Sequence, residues 1–174
     1  AESLLGKCNS IVGDVTNPEE ALNLVKEADN ILGGIDLLIC NVGSGKSVPP
    51  GQENLSEWKK VFAVNFFSTT NLVESSINFL EKSKGSIVCI SSICGIETIS
   101  GAPVTYSVAK SALNTYVKSI ARPLAKKGIR INSVAPGNIN FKGSVWSEKI
   151  SQDPKDVKTM LKENVPLERF GSPE

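Results

Sequence analysis

The stretch LLICNVGSGKSVPP, residues 37–50, decides how the chain is read. An apolar run ends in glycines and then in Gly45-Lys46-Ser47, the second half of a triphosphate-binding loop. That loop also needs a first glycine five residues before the second, and Cys40 stands there. A side chain at that point obstructs the turn that brings backbone N–H groups around phosphates. A helix should then begin at the Lys, with its N-terminus toward the anion. Instead Pro49, Pro50 and Gly51 follow, and the prolines hold the preceding residues extended. The triphosphate reading is rejected. The glycines are left as the end of a strand, with a role still to be found.

Outward from that stretch, the chain alternates strand-like and helix-like segments. Four short apolar runs read as strands: NSIVGDV (9–15), IDLLICNVG (35–43), GSIVCISS (85–92) and GIRINSVAPG (128–137). Continuous apolar runs suit parallel strands covered on both faces. Between them, 17–32 reads as a helix with Asn17 as N-cap, Pro18 at the first position and Glu19 and Glu20 in the first turn. Residues 56–82 and 105–128 read as two long helices, the second ended by Gly128, with Pro123 predicting a kink or break. Strand–helix repetition implies a parallel α/β sheet with right-handed crossovers. Ligands of such sheets sit at the carboxyl ends of the strands, here Asp14, Asn41–Gly43, Ser91–Ser92 and Pro136–Gly137.

Composition narrows the chemistry. The 174 residues suit one domain, taken as 1–174, with 40% hydrophobic and 21% charged residues as in ordinary globular proteins. A formal net charge of +1 argues against bulk binding to nucleic acid or an anionic membrane. The spacing of Cys8, Cys40, Cys89 and Cys94 resembles neither a zinc site nor a disulfide framework, and Cys40 and Cys89 read as small buried hydrophobes. There is no His, so no metal site is expected, and acid–base work must fall to Tyr, Lys, Asp, Glu or Cys. With no membrane-length apolar run and no signal peptide, the expected location is the cytoplasm.

Tyr106 and Lys110 stand four apart near the start of a helix, on one face. An ammonium beside a phenol favours the phenolate and lowers the Tyr pKa, which suits proton exchange at a hydroxyl or carbonyl carbon. Ser92 is placed to hydrogen-bond that oxygen. Asn65, a poor helix former in AVNFF, needs a reason for its position, such as holding a water that feeds protons to Lys110. Each of these alone has a plainer structural reading. Their joint occurrence at matching element ends points to a site.

Together these residues resemble the short-chain dehydrogenase/reductase family, across nearly the whole chain. Tyr106-Ser107-Val108-Ala109-Lys110 matches the family's Y-x-x-x-K. Cys40-Asn41-Val42-Gly43 resembles its N-N-A-G, Pro136-Gly137 with Ile139 its P-G motif beside the nicotinamide, and Asp14-Val15 its adenine-contacting strand end. The resemblance implies a three-layer Rossmann-like fold and an NAD- or NADP-dependent oxidoreductase acting on a small-molecule alcohol or carbonyl. By that resemblance Tyr106 is the acid or base, Lys110 lowers its pKa and binds the nicotinamide ribose, Ser92 orients the substrate oxygen and Asn65 holds the relay water. Asn41 and Gly43 then lie along the cofactor ribose, and Lys46 and Ser47 only begin the next loop. Helices 56–82 and 105–127 resemble those that form the family's homodimer or homotetramer interface.

The chain also departs from the pattern. The separation of Ser92 from Tyr106 is one residue longer than usual, which keeps Ser91 as an alternative. The Thr that often follows the P-G motif is missing after Ile139. No counterpart of the opening strand, the Gly-rich pyrophosphate turn or the closing strand is found, so the fold is expected to be truncated at both ends. Dinucleotide affinity of these residues alone is expected to be weak. A second reading is therefore a non-catalytic Rossmann-like module that folds by self-association. Phe141, Val145 and Trp146, in the loop after Pro136, either cover a substrate or anchor that loop.

Overall fold

The computed structural model describes residues 8–173. They form two compact units, up to Ala135 and from Pro136 onward.

The first unit is built on a parallel three-stranded sheet in the order β1 (Leu37–Cys40), β2 (Ser86–Ile90), β3 (Arg130–Val134). In register, Cys40 lies beside Cys89, and Cys89 beside Ser133. Helix α1 (Pro18–Leu32) begins as its sequence requires, with the Asn17 side chain accepting from Glu19 N and Glu20 N. It stops at Gly33, whose φ of 74° is the left-handed turn that glycine tolerates.

The segment expected as one long helix over 56–82 is three pieces. Helix α2 (Leu55–Phe62) passes into a π-helical turn (Ala63–Phe67), and α3 (Ser68–Ser83) follows. Asn65 stands at the centre of the π-turn. Its Nδ2 donates to the Val61 carbonyl at 3.0 Å, the acceptor its own backbone N–H would use in an α-helix. The helix widens by one residue there, as π-turns do.

Helix α4 (Val104–Ala125) runs through Pro123 for two further residues. Gly128 then takes a φ of 79°, with Gly128 N donating to Ala125 O and Ile129 N to Leu124 O. That is the Schellman pattern expected of a terminal glycine.

Two strand expectations are corrected. NSIVGDV forms no strand, and Val12 is 96% exposed. Strand backbone needs a partner for its N–H and C=O groups, and among the described residues no strand lies beyond β1 to supply one. Hydrogen bonds hold the end of the segment. Asp14 accepts from Thr16 N and Thr16 Oγ1, and Asn71 of α3 donates to the Val15 and Thr16 carbonyls.

Cover on both faces is the second. Within the first unit the core joins Val25 of α1, Val73 and Leu80 of α3, and Leu113, Val117 and Leu124 of α4 to the Cys40–Ile87–Cys89–Ile131 face of the sheet. Alternation puts Leu37, Ile39 and Val134 on the opposite face, and all three are exposed. The two crossovers, β1 to β2 and β2 to β3, run in one direction across the sheet, so by the right-handed rule their helices gather on one side, where α1 also packs.

The second unit contains α5 (Val145–Gln152) and α6 (Pro154–Asn164), where the sequence suggested a loop. Gly171 returns to pair with Asn138–Asn140: Asn140 N donates to Gly171 O and Gly171 N to Asn138 O. Trp146 packs on Phe170 at 5.2 Å, with the Lys149 ammonium 4.8 Å over its ring, so it anchors this unit internally. Among the described residues no helix is long and apolar enough to cross a membrane, and no acidic, Cys or His cluster fits a metal ion.

Helix α4 seats on the turn after β2 at Gly95. A Cβ there would lie 2.6 Å from the Lys110 carbonyl carbon. Gly95→Ala is therefore expected to lower stability by ~1–3 kcal/mol, because backbone rather than a side chain must give way; urea denaturation reads the loss.

Candidate active site

The carboxyl ends of β1 and β2 bring four of the expected residues together. Beyond β1, Gly43 lies so close to two of them that an added Cβ would stand 3.0 Å from Asn65 Oδ1 and 3.2 Å from Lys110 Nζ. This explains the glycine at the strand end: only a residue without a side chain leaves that space open. Asn41 and Val42 beside it are exposed.

Asn65 is buried and its amide is nearly saturated. Oδ1 accepts from Ser44 N at 2.9 Å, while Nδ2 donates to Ser44 O and to Val61 O, each at 3.0 Å. The side chain thus locks the glycine-rich turn to the π-helical segment. One acceptor lone pair on Oδ1 remains.

Lys110 is also buried, and Nζ donates to the Ile90 carbonyl at 2.8 Å. Tyr106 lies one turn earlier on α4, its ring centroid 5.9 Å from that ammonium. The two serines divide cleanly. Ser91 turns to α4, its Oγ donating to the Lys110 carbonyl at 3.4 Å. Ser92 accepts from Cys94 N at 3.2 Å and neighbours the Tyr106 phenol, whose pKa it pulls downward.

The electrostatics correct one expectation. The Tyr106 phenol is held above its ordinary value, chiefly by burial, against a downward pull from Ser92. The sequence reading had Lys110 lowering it. Here burial opposes both charges, and it brings Lys110 itself down to about 8. Beneath them the Cys40 thiol is pushed up by its hydrogen bond with Cys89 and by burial.

Asp14 stands apart, fully exposed, its carboxyl held below the usual range by the two Thr16 hydrogen bonds. Pro136, Gly137 and Ile139 belong to the second unit. Sequence reading missed the polar contacts made by Ser47, Glu57 and Thr105 next to Tyr106. The partners are far apart in the chain, and the one available signal was a Thr beside the tyrosine in a helix start without a capping residue.

Residues 1–174 match a family model described as enoyl-(acyl carrier protein) reductase. The chain is 36% identical to the 3-oxoacyl-(acyl-carrier-protein) reductase FabG of Aquifex aeolicus over 159 residues, 90% of this chain and 61% of that protein. It thus spans about three-fifths of that relative's length. A short-chain dehydrogenase/reductase from Caenorhabditis elegans, solved with its cofactor, superposes with a TM-score of 0.83 at 29% identity, covering 95% of this chain and 64% of that one. ElxO with NADP bound superposes with a TM-score of 0.82 at 25% identity, covering 92% and 64%.

Lys110 supplies a test by pH. Its folded value of about 8 lies below the ordinary 10.5, so its protonated form costs folding stability. The cost is complete below about pH 8 and is relieved as pH rises toward 10.5. Relative to Lys110→Met, the unaltered chain should gain on the order of 3 kcal/mol across that window. Urea denaturation at several pH values measures the difference, and a flat profile would contradict the burial of this charge.

Proposed function

Because the chain belongs to the short-chain dehydrogenase/reductase family, we propose that it takes part in NAD- or NADP-dependent interconversion of a hydroxyl and a carbonyl on a small molecule. The observation that carries this is the convergence of Gly43, Asn65, Ser92, Tyr106 and Lys110 at the ends of β1 and β2. The residues present fit the ribose side of a dinucleotide: Gly43 leaves room beside Lys110 Nζ, and that ammonium has N–H donors beyond the one given to Ile90. When bound, the nicotinamide accepts or supplies the hydride.

The chain's own groups handle the proton. In the reducing direction Tyr106 gives its phenolic proton to the substrate oxygen; in the oxidising direction the phenolate takes it back. Ser92, which neighbours the phenol, is the side chain proposed to orient that oxygen. The Lys110 charge, near the ring, stabilises the phenolate once formed. Asn65 keeps the glycine-rich turn in place, and its remaining lone pair is the acceptor available to a relay water. Asp14 and Val15 on the adenine side, and Pro136, Gly137 and Ile139 on the nicotinamide side, complete the proposed contacts.

The homo-oligomer belongs to the same proposal. Phe66, Val108, Ala112, Thr115 and Tyr116 line a shallow apolar groove on the π-turn and α4, which suits packing against a second copy. Sedimentation at low concentration tests it, and a clean monomer would count against it. The other reading, a non-catalytic module, draws on the exposed Leu37, Ile39 and Val134 face.

Titration with NAD(H) and NADP(H), followed by nicotinamide fluorescence and thermal shift, separates the two. The enzyme reading expects saturable binding lost in Lys110→Ala, and turnover reduced ~10²–10⁴-fold in Tyr106→Phe. Absence of binding by the folded chain would favour the module.

A further inference from the structure

The start of α4 has an unusual support. Its N-cap position, Pro103, makes no side-chain capping bond, and most of 97–103 before it is exposed. Yet Thr105, in the first turn, has no exposed surface, and its hydroxyl lies 2.6 Å from Ser47 Oγ. Ser47 Oγ in turn donates to Glu57 Oε1 at 3.0 Å.

Proton counting orients this chain. A carboxylate only accepts, and a serine hydroxyl has one proton to give. Ser47 gives its proton to Glu57, so Thr105 must donate to Ser47. Hydrogen bonds ending on a charge are the stronger kind. Glu57 is itself fixed in α2: Asn54 caps its N–H at 3.0 Å, and Lys60 Nζ lies 3.6 Å from Oε2. The loop after β1, α2 and the first turn of α4 are thereby tied at one point, one residue from Tyr106.

We propose that Thr105, Ser47 and Glu57 are positioning residues that hold the first turn of α4 and so set where the Tyr106 phenol lies against Ser92. The functional meaning of that placement rests on the acid–base assignment of Tyr106 above; the placement itself does not. Without the chain, an uncapped turn frays and the phenol gains water. Ser92 and Cys94 act on that phenol and the Lys110 ammonium lies 5.9 Å from its ring, and none of the three belongs to the hydrogen-bond chain.

The experiment is a titration of the full chain labelled with ¹³Cζ-tyrosine, which carries two tyrosines. Tyr106→Phe assigns the signals, and Tyr116 serves as the internal reference. In Thr105→Val and in Ser47→Ala the Tyr106 midpoint should fall toward the ordinary phenol value while Tyr116 stays. Thr105→Ser, which keeps the hydroxyl, should restore it. The double variant Thr105→Val with Ser47→Ala should shift no further than either single one, because one chain is broken once. Ser47→Ala removes a partly exposed hydroxyl and keeps the test open should Thr105→Val fail to fold.

A Tyr106 midpoint unchanged in both single variants, even with lowered stability, overturns the proposal and leaves the chain a structural bond. Dinucleotide binding is measured separately. A moved Tyr106 midpoint in a chain that binds neither NAD(H) nor NADP(H) upholds the positioning role and favours the module over the enzymatic reading.

Discussion

Lys110 is a buried cation whose ammonium is met by a strand-end carbonyl, and much of the site's geometry follows from that contact. Burying a charge without a partner is costly. The Ile90 carbonyl, at the end of β2, is an acceptor that the sheet leaves available at 2.8 Å. To reach it, α4 must come close to the turn after β2, and Gly95 permits this by carrying no side chain against the Lys110 backbone. Ser91 closes the same seam by bonding the Lys110 carbonyl. One approach therefore sets the helix register, and the register in turn sets Tyr106.

The other side of the site is set by an amide. Asn65, inside the π-turn, donates to the Val61 carbonyl and grips Ser44 by both backbone groups. The π-turn and the glycine-rich strand end are thus one feature. Gly43 is brought within reach of both Asn65 and Lys110, and any side chain there would fill the space the two leave. A local helical irregularity and a glycine far from it in sequence meet at one side chain.

Much of this was legible from the residues. Asn17-Pro18-Glu19-Glu20 announced a helix start, Gly128 is a left-handed helix end, and the apolar runs at β1, β2 and β3 are strands. The apolar run at 9–15 looked equally strand-like and is not one. Its composition favours extended chain, but a strand also needs a neighbour to pair with, and pairing is not a property of the segment. Leu37 and Ile39 show the same limit. Their apolarity suggested cover on both faces, whereas cover depends on which elements pack there.

By itself, the sequence determined the order of β1, β2 and β3 with helices between them, the glycine that ends α4 and the spacing that puts Tyr106 and Lys110 on one helix face. These follow from local rules of backbone sterics and helical period, which act over a few residues. Only the tertiary structure decided that Ser91 turns to the Lys110 carbonyl, that burial raises Tyr106 and lowers Lys110, and that Ser47 links Thr105 to Glu57. Desolvation and hydrogen bonding depend on neighbours that are distant in the chain and adjacent in space. Residue type and spacing name the groups able to do chemistry; the packing around them sets their protonation and their aim.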